Sequence, residues 1–349
     1  MKNSRKRLIF VSVLVLAMLI AAGLPAGAAT LPPQAKAAHK QLPQQFTGET
    51  AYAHVYNLSE GIGPRVAGTE AEHEAALYIK QAFEDLGYET ELQPFTYQRY
   101  GTTYSSQNVI ATKPGRSSET IVVGAHYDSV SRGKGAGDNA SGVGVMLEAA
   151  ALLKSYPTWA TVVFIAFGAE EVGLRGSNFY VSQLSDEEIA NTIAMINMDM
   201  VGIGDYLNVY SGSNNGPTWV REMAMDIARN QGIDIHTTGP DTWNGATGDW
   251  SDHVAFRLAG IPIAYFEYWN WYALPGNMDG IEIAGVGNIY HTNNDTIAMV
   301  KQEKLRNCGK VVTPLIYELA KTPLPPIHSQ GRGKNVARYK AVEYEVLVK

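Results

Sequence analysis

The chain has 349 residues, 45% of them hydrophobic and 10% aromatic, which excludes a disordered or fibrous chain and allows one large domain or two ordinary ones. A formal charge of −6 excludes nucleic acid as the main partner, because phosphate binding needs a basic face. The single cysteine, Cys308, excludes an intramolecular disulfide, and a chain of this length can rely on its core instead.

Lys2, Arg5, Lys6 and Arg7 form a basic cluster without acids. Residues 8–24 are almost unbroken apolar, Pro25 breaks the run, and Ala26-Gly27-Ala28 offers small residues for a signal peptidase. Residues 1–28 therefore read as a secretory signal peptide, predicting a secreted chain with no membrane association after cleavage. A retained anchor is the competing reading, disfavoured by a run at the short end of the ~20 apolar residues a span needs. Residues 29–49 lack periodicity and read as a linker or propeptide-like lead. Residues 50–321 read as one folded domain and residues 322–349 as a C-terminal tail, in which residues 342–346 alternate like an edge strand.

Within the domain, a helical pattern from Thr50 is broken at Ile62-Gly63-Pro64-Arg65. Thr69 is placed to cap a helix over 70–86. Alternation across 89–112 predicts an antiparallel hairpin or meander. Short apolar strands are predicted at 120–125, 161–167, 192–197 and 261–268, with a further strand at 207–210. Helices are predicted over 140–155, 175–183, a segment capped by Ser185, 217–230, 251–258 and 302–321. Apolar strands alternating with helices predict an α/β fold: three layers, α/β/α, with a mixed, mostly parallel central sheet. Polar loops directly after the strands predict a site along the strands' carboxyl ends.

The chemistry-bearing residues cluster at those ends. The first core strand ends Gly124-Ala125-His126-Tyr127-Asp128-Ser129. Spacing of two puts His126 and Asp128 on one side of an extended strand end. A neutral imidazole binds zinc, and a neighbouring carboxylate fixes its tautomer; alone, His126 could equally be a hydrogen-bonded strand-end histidine. Asp138 lies among small residues in Gly137-Asp138-Asn139-Ala140-Ser141-Gly142, free to bridge or simply to cap a helix. Glu170 and Glu171 follow a buried strand at once, a costly place for charge without a partner. Asp199 sits among methionines and aliphatics in Asn197-Met198-Asp199-Met200-Val201-Gly202, and His291 follows Tyr290. Two histidines and three carboxylates suit two Zn²⁺ ions. One carboxylate must then bridge, and one acid remains to take a proton from water.

These segments, with Phe167-Gly168-Ala169-Glu170-Glu171-Val172-Gly173-Leu174-Arg175-Gly176-Ser177, Ser251-Asp252-His253 and Tyr290-His291-Thr292, fall in a known order and spacing. Across residues 50–321 the chain resembles the secreted di-zinc aminopeptidases of metallopeptidase clan MH, family twenty-eight, most closely the bacterial leucyl type. Ile62-Gly63-Pro64-Arg65-Val66-Ala67-Gly68-Thr69 also resembles that family's N-terminal signature. The resemblance implies a zinc-exopeptidase-like fold and peptide or protein substrates with a free N-terminus. It implies His126 and Asp199 on one zinc, Glu171 and His291 on the other, and Asp138 bridging both through a residue pair whose peptide bond is cis. It also implies Glu170 as general base, Tyr290 as hydrogen-bond donor to the oxyanion, Asp128 as the group orienting His126, and Asp252 as an outer acid.

Two departures stand out. The protease-associated domain that many relatives insert before the first metal strand is absent, and Trp250 stands where some relatives carry a substrate-binding arginine. The aromatic cluster Tyr265, Phe266, Tyr268, Trp269, Trp271 and Tyr272 reads equally as a specificity pocket or as core. The rival activities are a single-zinc glutaminyl-peptide cyclase of the same fold and a clan MH carboxypeptidase. For the latter, Arg175 and Arg257 are the candidate anchors, without a convergent basic cluster.

Overall fold

The computed structural model describes residues 45–212, 217–237, 249–270 and 281–323. The signal-like segment, most of the tail, Trp271 and Tyr272 lie outside the described residues. Among the described residues, no helix is long and apolar enough to cross a membrane.

The described chain opens with α1 (Glu49–Tyr56). Its first N–H groups have no side-chain cap of their own. Glu148, buried in a neighbouring helix, serves instead: its carboxylate accepts from the N–H groups of Thr47, Gly48 and Ala51 at 2.8, 3.1 and 2.8 Å. An acid at a helix N-terminus also meets the positive end of the helix dipole. Phe46, in the stretch read as a lead, is itself buried. The helix α2 (Glu70–Asp85) buries Ala75, Ala76, Ile79 and Phe83 at helical spacing,. Thr69 precedes it but does not cap it. The Thr69 hydroxyl donates to the Val66 carbonyl, and Glu72 reaches back to accept the Gly68 N–H at 2.6 Å.

The hairpin β1 (Glu89–Arg99) and β2 (Thr102–Lys113) is antiparallel, as its alternation predicts. Then come β3 (Thr120–His126), α3 (Ser141–Leu153), β4 (Thr161–Phe167), α4 (Arg175–Gln183) and α5 (Asp186–Asn191). Ser185 and Glu188 form a reciprocal capping box at the start of α5,. They are followed by β5 (Thr192–Met198), β6 (Tyr206–Tyr210), α6 (Trp219–Asn230) and α7 (His253–Leu258). The last elements are β7 (Ile263–Trp269), the two-residue strands β8 (Glu282–Ile283) and β9 (Gly287–Asn288), and α8 (Gln302–Ala320).

Seven strands form one sheet in the order β1-β2-β4-β3-β5-β7-β6. The central four, β4-β3-β5-β7, are parallel, flanked by β2 and β6, each antiparallel to its neighbour in the quartet. Two apolar clusters divide the sheet's faces. One holds Val123, Phe164, Ile196 and Phe266 with the helices α1, α2, α3 and α8; the other holds Val122, Ile165, Met195 and Tyr265 with α4 and α7. Alternate residues of the same strands fill both. Burial on both faces makes the central strands read as unbroken apolar runs. The parallel quartet ends on one side at His126, Phe167, Met198 and Trp269, and the candidate ligands lie at or just beyond three of those ends.

Candidate metal centre

Each predicted ligand is delivered by a different element. His126 is the last residue of β3. Asp138 lies in a tight turn before α3, its peptide bond to Asn139 cis. Glu171 follows β4, Asp199 follows β5, and His291 follows β9. Two groups of potential ligand atoms converge: His126, Asp138 and Asp199, and Asp138, Glu171 and His291. Asp138 is common to both.

Three of the four spacings within these groups fit ligands of one ion better than hydrogen bonds. His126 Nε2 lies 3.3 Å from Asp138 Oδ1 and 3.4 Å from Asp199 Oδ1. His291 Nε2 lies 3.3 Å from Asp138 Oδ2 and 3.0 Å from Glu171 Oε2. Charge-assisted N–H···O bonds are shorter, about 2.7–2.9 Å. Two ligands each about 2.0–2.2 Å from a tetrahedral zinc stand about 3.3–3.6 Å apart. The two Asp138 oxygens point to different histidines, as a bridging carboxylate requires. Glu171 Oε1 and Asp199 Oδ1 are buried without a hydrogen-bond partner, an expensive arrangement that a cation relieves. The residues present therefore fit two zinc ions.

The electrostatics agree. Burial lowers His126, but Asp199, Glu170 and hydrogen bonds to Asp128 and Asp138 overcome it and raise the imidazole well above its ordinary value. Burial likewise opposes, and the adjacent Asp138 and Glu171 carboxylates outweigh, at His291, which rises to about 10. Burial raises Glu170 well above the carboxylate range, and Glu171, Asp252 and Asp199 add to this against the pull of His126. Clustered buried carboxylates thus raise both imidazoles and one another, a field that a bound cation would offset.

The outer partners are specific. His126 Nδ1 lies 3.2 Å from the Asp128 carbonyl and 3.5 Å from Asp128 Oδ1. Nδ1 thus faces acceptors and Nε2 faces the other ligands. The Asp128 carboxylate does more than the sequence suggested: its two oxygens accept the N–H groups of Glu170 and Glu171 at 2.9 and 3.1 Å. Glu72 takes the next N–H back, from Ala169, at 3.0 Å, and the Ser106 hydroxyl at 2.7 Å. Asp295 accepts the N–H groups of Gly137 and Asp138 at 2.6 and 3.1 Å, holding the backbone of the shared ligand. Arg65, fully buried, donates to the carbonyls of Tyr127, Gly63, Lys134 and Gly135 at 2.6–2.9 Å. It ties the end of β3 to the loop before Asp138. Asn139 spans from that turn to the end of β5, its Nδ2 donating to the Met198 carbonyl at 2.9 Å. Ala169, Met200 and His291 all have positive φ, +54°, +52° and +54°. Backbone strain of this kind collects where side chains must be aimed.

Sequence reasoning singled out the ligands but gave no role to Glu72, Arg65, Asp295 or Glu267. Glu72 carried a signal: it falls on the apolar stripe of α2, three and seven residues before Ala75 and Ile79. Glu267 carried another, since a period of two places it on the same face of β7 as Tyr265 and Trp269.

A cavity of about 320 Å³ opens on the ligands and is also lined by Glu170, Trp250, Tyr265, Glu267, Trp269 and Tyr290. The aromatic cluster thus divides. Tyr265 and Trp269 line the cavity, and Trp269 also packs with Phe266 and Tyr268 in the larger core cluster. Tyr290 stacks on His291 with ring centres 3.8 Å apart and meets Trp269 edge-on at 5.3 Å. Asp252 is fully buried, raised to about 7 by burial, and lies outside both ligand groups. Arg257 pairs with Asp249 at 2.6 Å, and Arg175 lies over the Tyr97 ring at 5.9 Å. Neither is among the residues lining the cavity.

The sequence profile of Peptidase family M28 matches residues 108–316. Aminopeptidase YwaD of Bacillus subtilis (strain 168) is 37% identical over 234 residues, which cover 64% of this chain and 47% of YwaD. The chain therefore spans about half the length of that relative. The zinc aminopeptidase BSAP from Bacillus subtilis superposes with a TM-score of 0.69 at 26% identity, over 81% of this chain and 97% of BSAP. A glutaminyl cyclase from an Acidobacteriales bacterium superposes at 0.66, over 83% and 98%, with 21% identity. This last likeness shows the fold alone.

Proposed function

The chain belongs to peptidase family M28, and from that premise we propose that it is a zinc-dependent aminopeptidase acting on peptides with a free N-terminus. The observation that carries the reading is the pair of ligand groups sharing Asp138, with the unliganded acid Glu170 on the same cavity wall. His126, Asp138 and Asp199 would hold one zinc, and Asp138, Glu171 and His291 the second. When bound, zinc supplies Lewis acidity toward the scissile carbonyl and toward water.

The chain's own groups do the rest. Glu170 takes the proton of the attacking water and later returns it to the leaving amine. Glu170 lines the cavity without belonging to either ligand group, so its carboxylate stays free for both steps,. The Tyr290 hydroxyl, on the cavity wall, hydrogen-bonds the oxygen on which negative charge develops. Asp128 and Glu72 fix the backbone of residues 169–171, so that Glu170 and Glu171 point to separate tasks. The carboxylate-rich wall also suits the substrate's α-ammonium group. The basic and apolar pattern of residues 1–28 supports export of the chain.

Release of amino acids from unblocked and N-acetylated peptides, with and without chelator, tests this. Release from the unblocked peptide alone, abolished by chelation and restored by zinc, is expected. Activity on the acetylated peptide, or indifference to the chelator, would refute it. Full activity with one zinc per chain would favour a cyclase instead, with cyclisation of an N-terminal glutamine as its direct assay.

A further inference from the structure

One carboxylate on the cavity wall has no part in the chemistry above. Glu267 lies on β7, where the pleat turns Tyr265, Glu267 and Trp269 toward the cavity,. It is 1% exposed. The Tyr210 hydroxyl donates to its Oε1 at 2.8 Å and the Tyr265 hydroxyl to its Oε2 at 2.7 Å. Among the described residues, no lysine, arginine or histidine pairs with it. Its place relative to the metal ligands is set by the sheet. β5 and β7 are paired parallel, Met198 opposite Phe266, and the Asp199 N–H donates to the Phe266 carbonyl at 3.0 Å. Glu267 therefore starts beside Asp199, one strand spacing of about 4.8 Å away.

A buried acid held by two phenols and the Trp250 indole, with no cation beside it among the described residues, keeps its charge uncompensated,. Burial, with the nearby Asp199 charge, raises it to about 7 while hydrogen bonds from Tyr265, Tyr210 and Trp250 pull the other way; an entering cation would compensate its charge. The cavity walls add a second preference. Trp250, Tyr265 and Trp269 offer aromatic surface around the acid, and a planar guanidinium stacks on such rings while pairing with a carboxylate.

We propose that Glu267 makes this cavity a subsite for a basic N-terminal residue, arginine above all, whose side chain pairs with the Glu267 carboxylate between the aromatic walls. The proposal rests on the aminopeptidase reading and names the substrate class of that site.

Arginyl and citrullinyl substrates are nearly isosteric and differ in charge. On the zinc-loaded wild-type protein, kcat/KM should favour the arginyl substrate by about tenfold or more. Equal values would overturn the proposal. In Glu267→Gln, the ratio of arginyl to leucyl kcat/KM should collapse toward the citrullinyl-to-leucyl ratio; an unchanged ratio would overturn it. An equal fall for arginyl, citrullinyl and leucyl substrates would assign Glu267 to the α-ammonium group instead, and would also overturn it. Binding of L-arginine and L-citrulline to the Glu170→Gln protein, followed by calorimetry, reads the same preference without turnover and without altering Glu267. Arginine should bind more tightly, and equal affinities would refute the subsite. If wild type releases no residue from any unblocked peptide, the aminopeptidase reading fails, while the calorimetry still decides whether Glu267 selects a basic side chain.

Discussion

The two ligand groups are not equivalent. The inner one, His126, Asp138 and Asp199, is buried throughout; in the outer one, Asp138, Glu171 and His291, the exposure is concentrated at His291. The His126 side chain is 1% exposed and that of His291 37%. The difference follows from what carries the residues. His126 ends a central strand and Asp199 directly follows another, so their backbone is positioned by the sheet. Glu171 and His291 sit on loops, and loops need their own supports. His291 leans on Thr292, whose hydroxyl donates to the Asn288 carbonyl at 2.6 Å, and on the N–H of Tyr290, which donates to Asn288 Oδ1 at 3.1 Å. Glu171 leans on Asp128. The inner position is thus made rigid by the fold itself and the outer position by local hydrogen bonds, which open at lower cost. The lesson is that two candidate metal positions sharing one carboxylate can differ in how firmly they are held.

The largest expected effect comes from removing what the two regions share. Asp138→Ala should bring bound zinc below one ion per chain and reduce peptide hydrolysis on the order of 10³- to 10⁴-fold. Metal analysis beside kinetics checks it. Retention of both ions would show that the two groups do not depend on a common carboxylate. A smaller effect should separate them. His291→Ala should keep about one zinc, held by the inner group, and lose activity on the order of 10²-fold. In wild type, timed chelation should then remove zinc in two phases, the faster one missing from His291→Ala. If the slower phase disappears instead, the order inferred from burial is reversed.

Much of the inner region was legible in the sequence, and less of the outer. His126 and Asp199 stand at the ends of apolar runs, where a polar residue is conspicuous. The sheet that gathers them follows from the alternation of such runs with helices. Glu170 and Glu171 were conspicuous too, but their separation into a proton-carrying acid and a ligand needed the family resemblance. The supports were not legible. Glu72 is some hundred residues before the backbone it holds, and a hydrogen bond from a helix side chain to a distant N–H leaves no periodic trace. Thr69 misled for the same reason: the threonine stands where a cap belongs, yet the carboxylate of Glu72 serves the neighbouring Gly68 N–H. Glu148, capping α1 from about a hundred residues away, is a third instance of a long-range acid satisfying local backbone. Glu267 was hidden within an aromatic cluster whose division between core and cavity only the strand's pleat decides.

The smallest effect concerns those supports and sharpens the contrast most. Glu72 does not face a metal position; it accepts the Ala169 N–H and so positions the residue before Glu170. Its three contacts, Gly68, Ser106 and Ala169, all donate to it, so a glutamine, with one oxygen in place of two, must turn an amide N–H toward one donor. Repulsion from the Gly68 N–H, which Oε2 alone accepts, should displace the side chain from the Ala169 N–H and Ser106 hydroxyl at Oε1, and the loosened backbone at 169–171 should be felt by a proton-transferring side chain before a metal-held one. Glu72→Gln is therefore expected to lower kcat about tenfold, the range for outer partners of a catalytic group, with KM little changed and zinc content unchanged. Ser106→Ala, which removes one donor and leaves the carboxylate intact, should lower kcat less. A purely structural role would instead lower thermal stability in both variants without separating kcat from KM. Loss of zinc from Glu72→Gln would mean that the loop carrying Glu171, rather than the aim of Glu170, is what this acid secures.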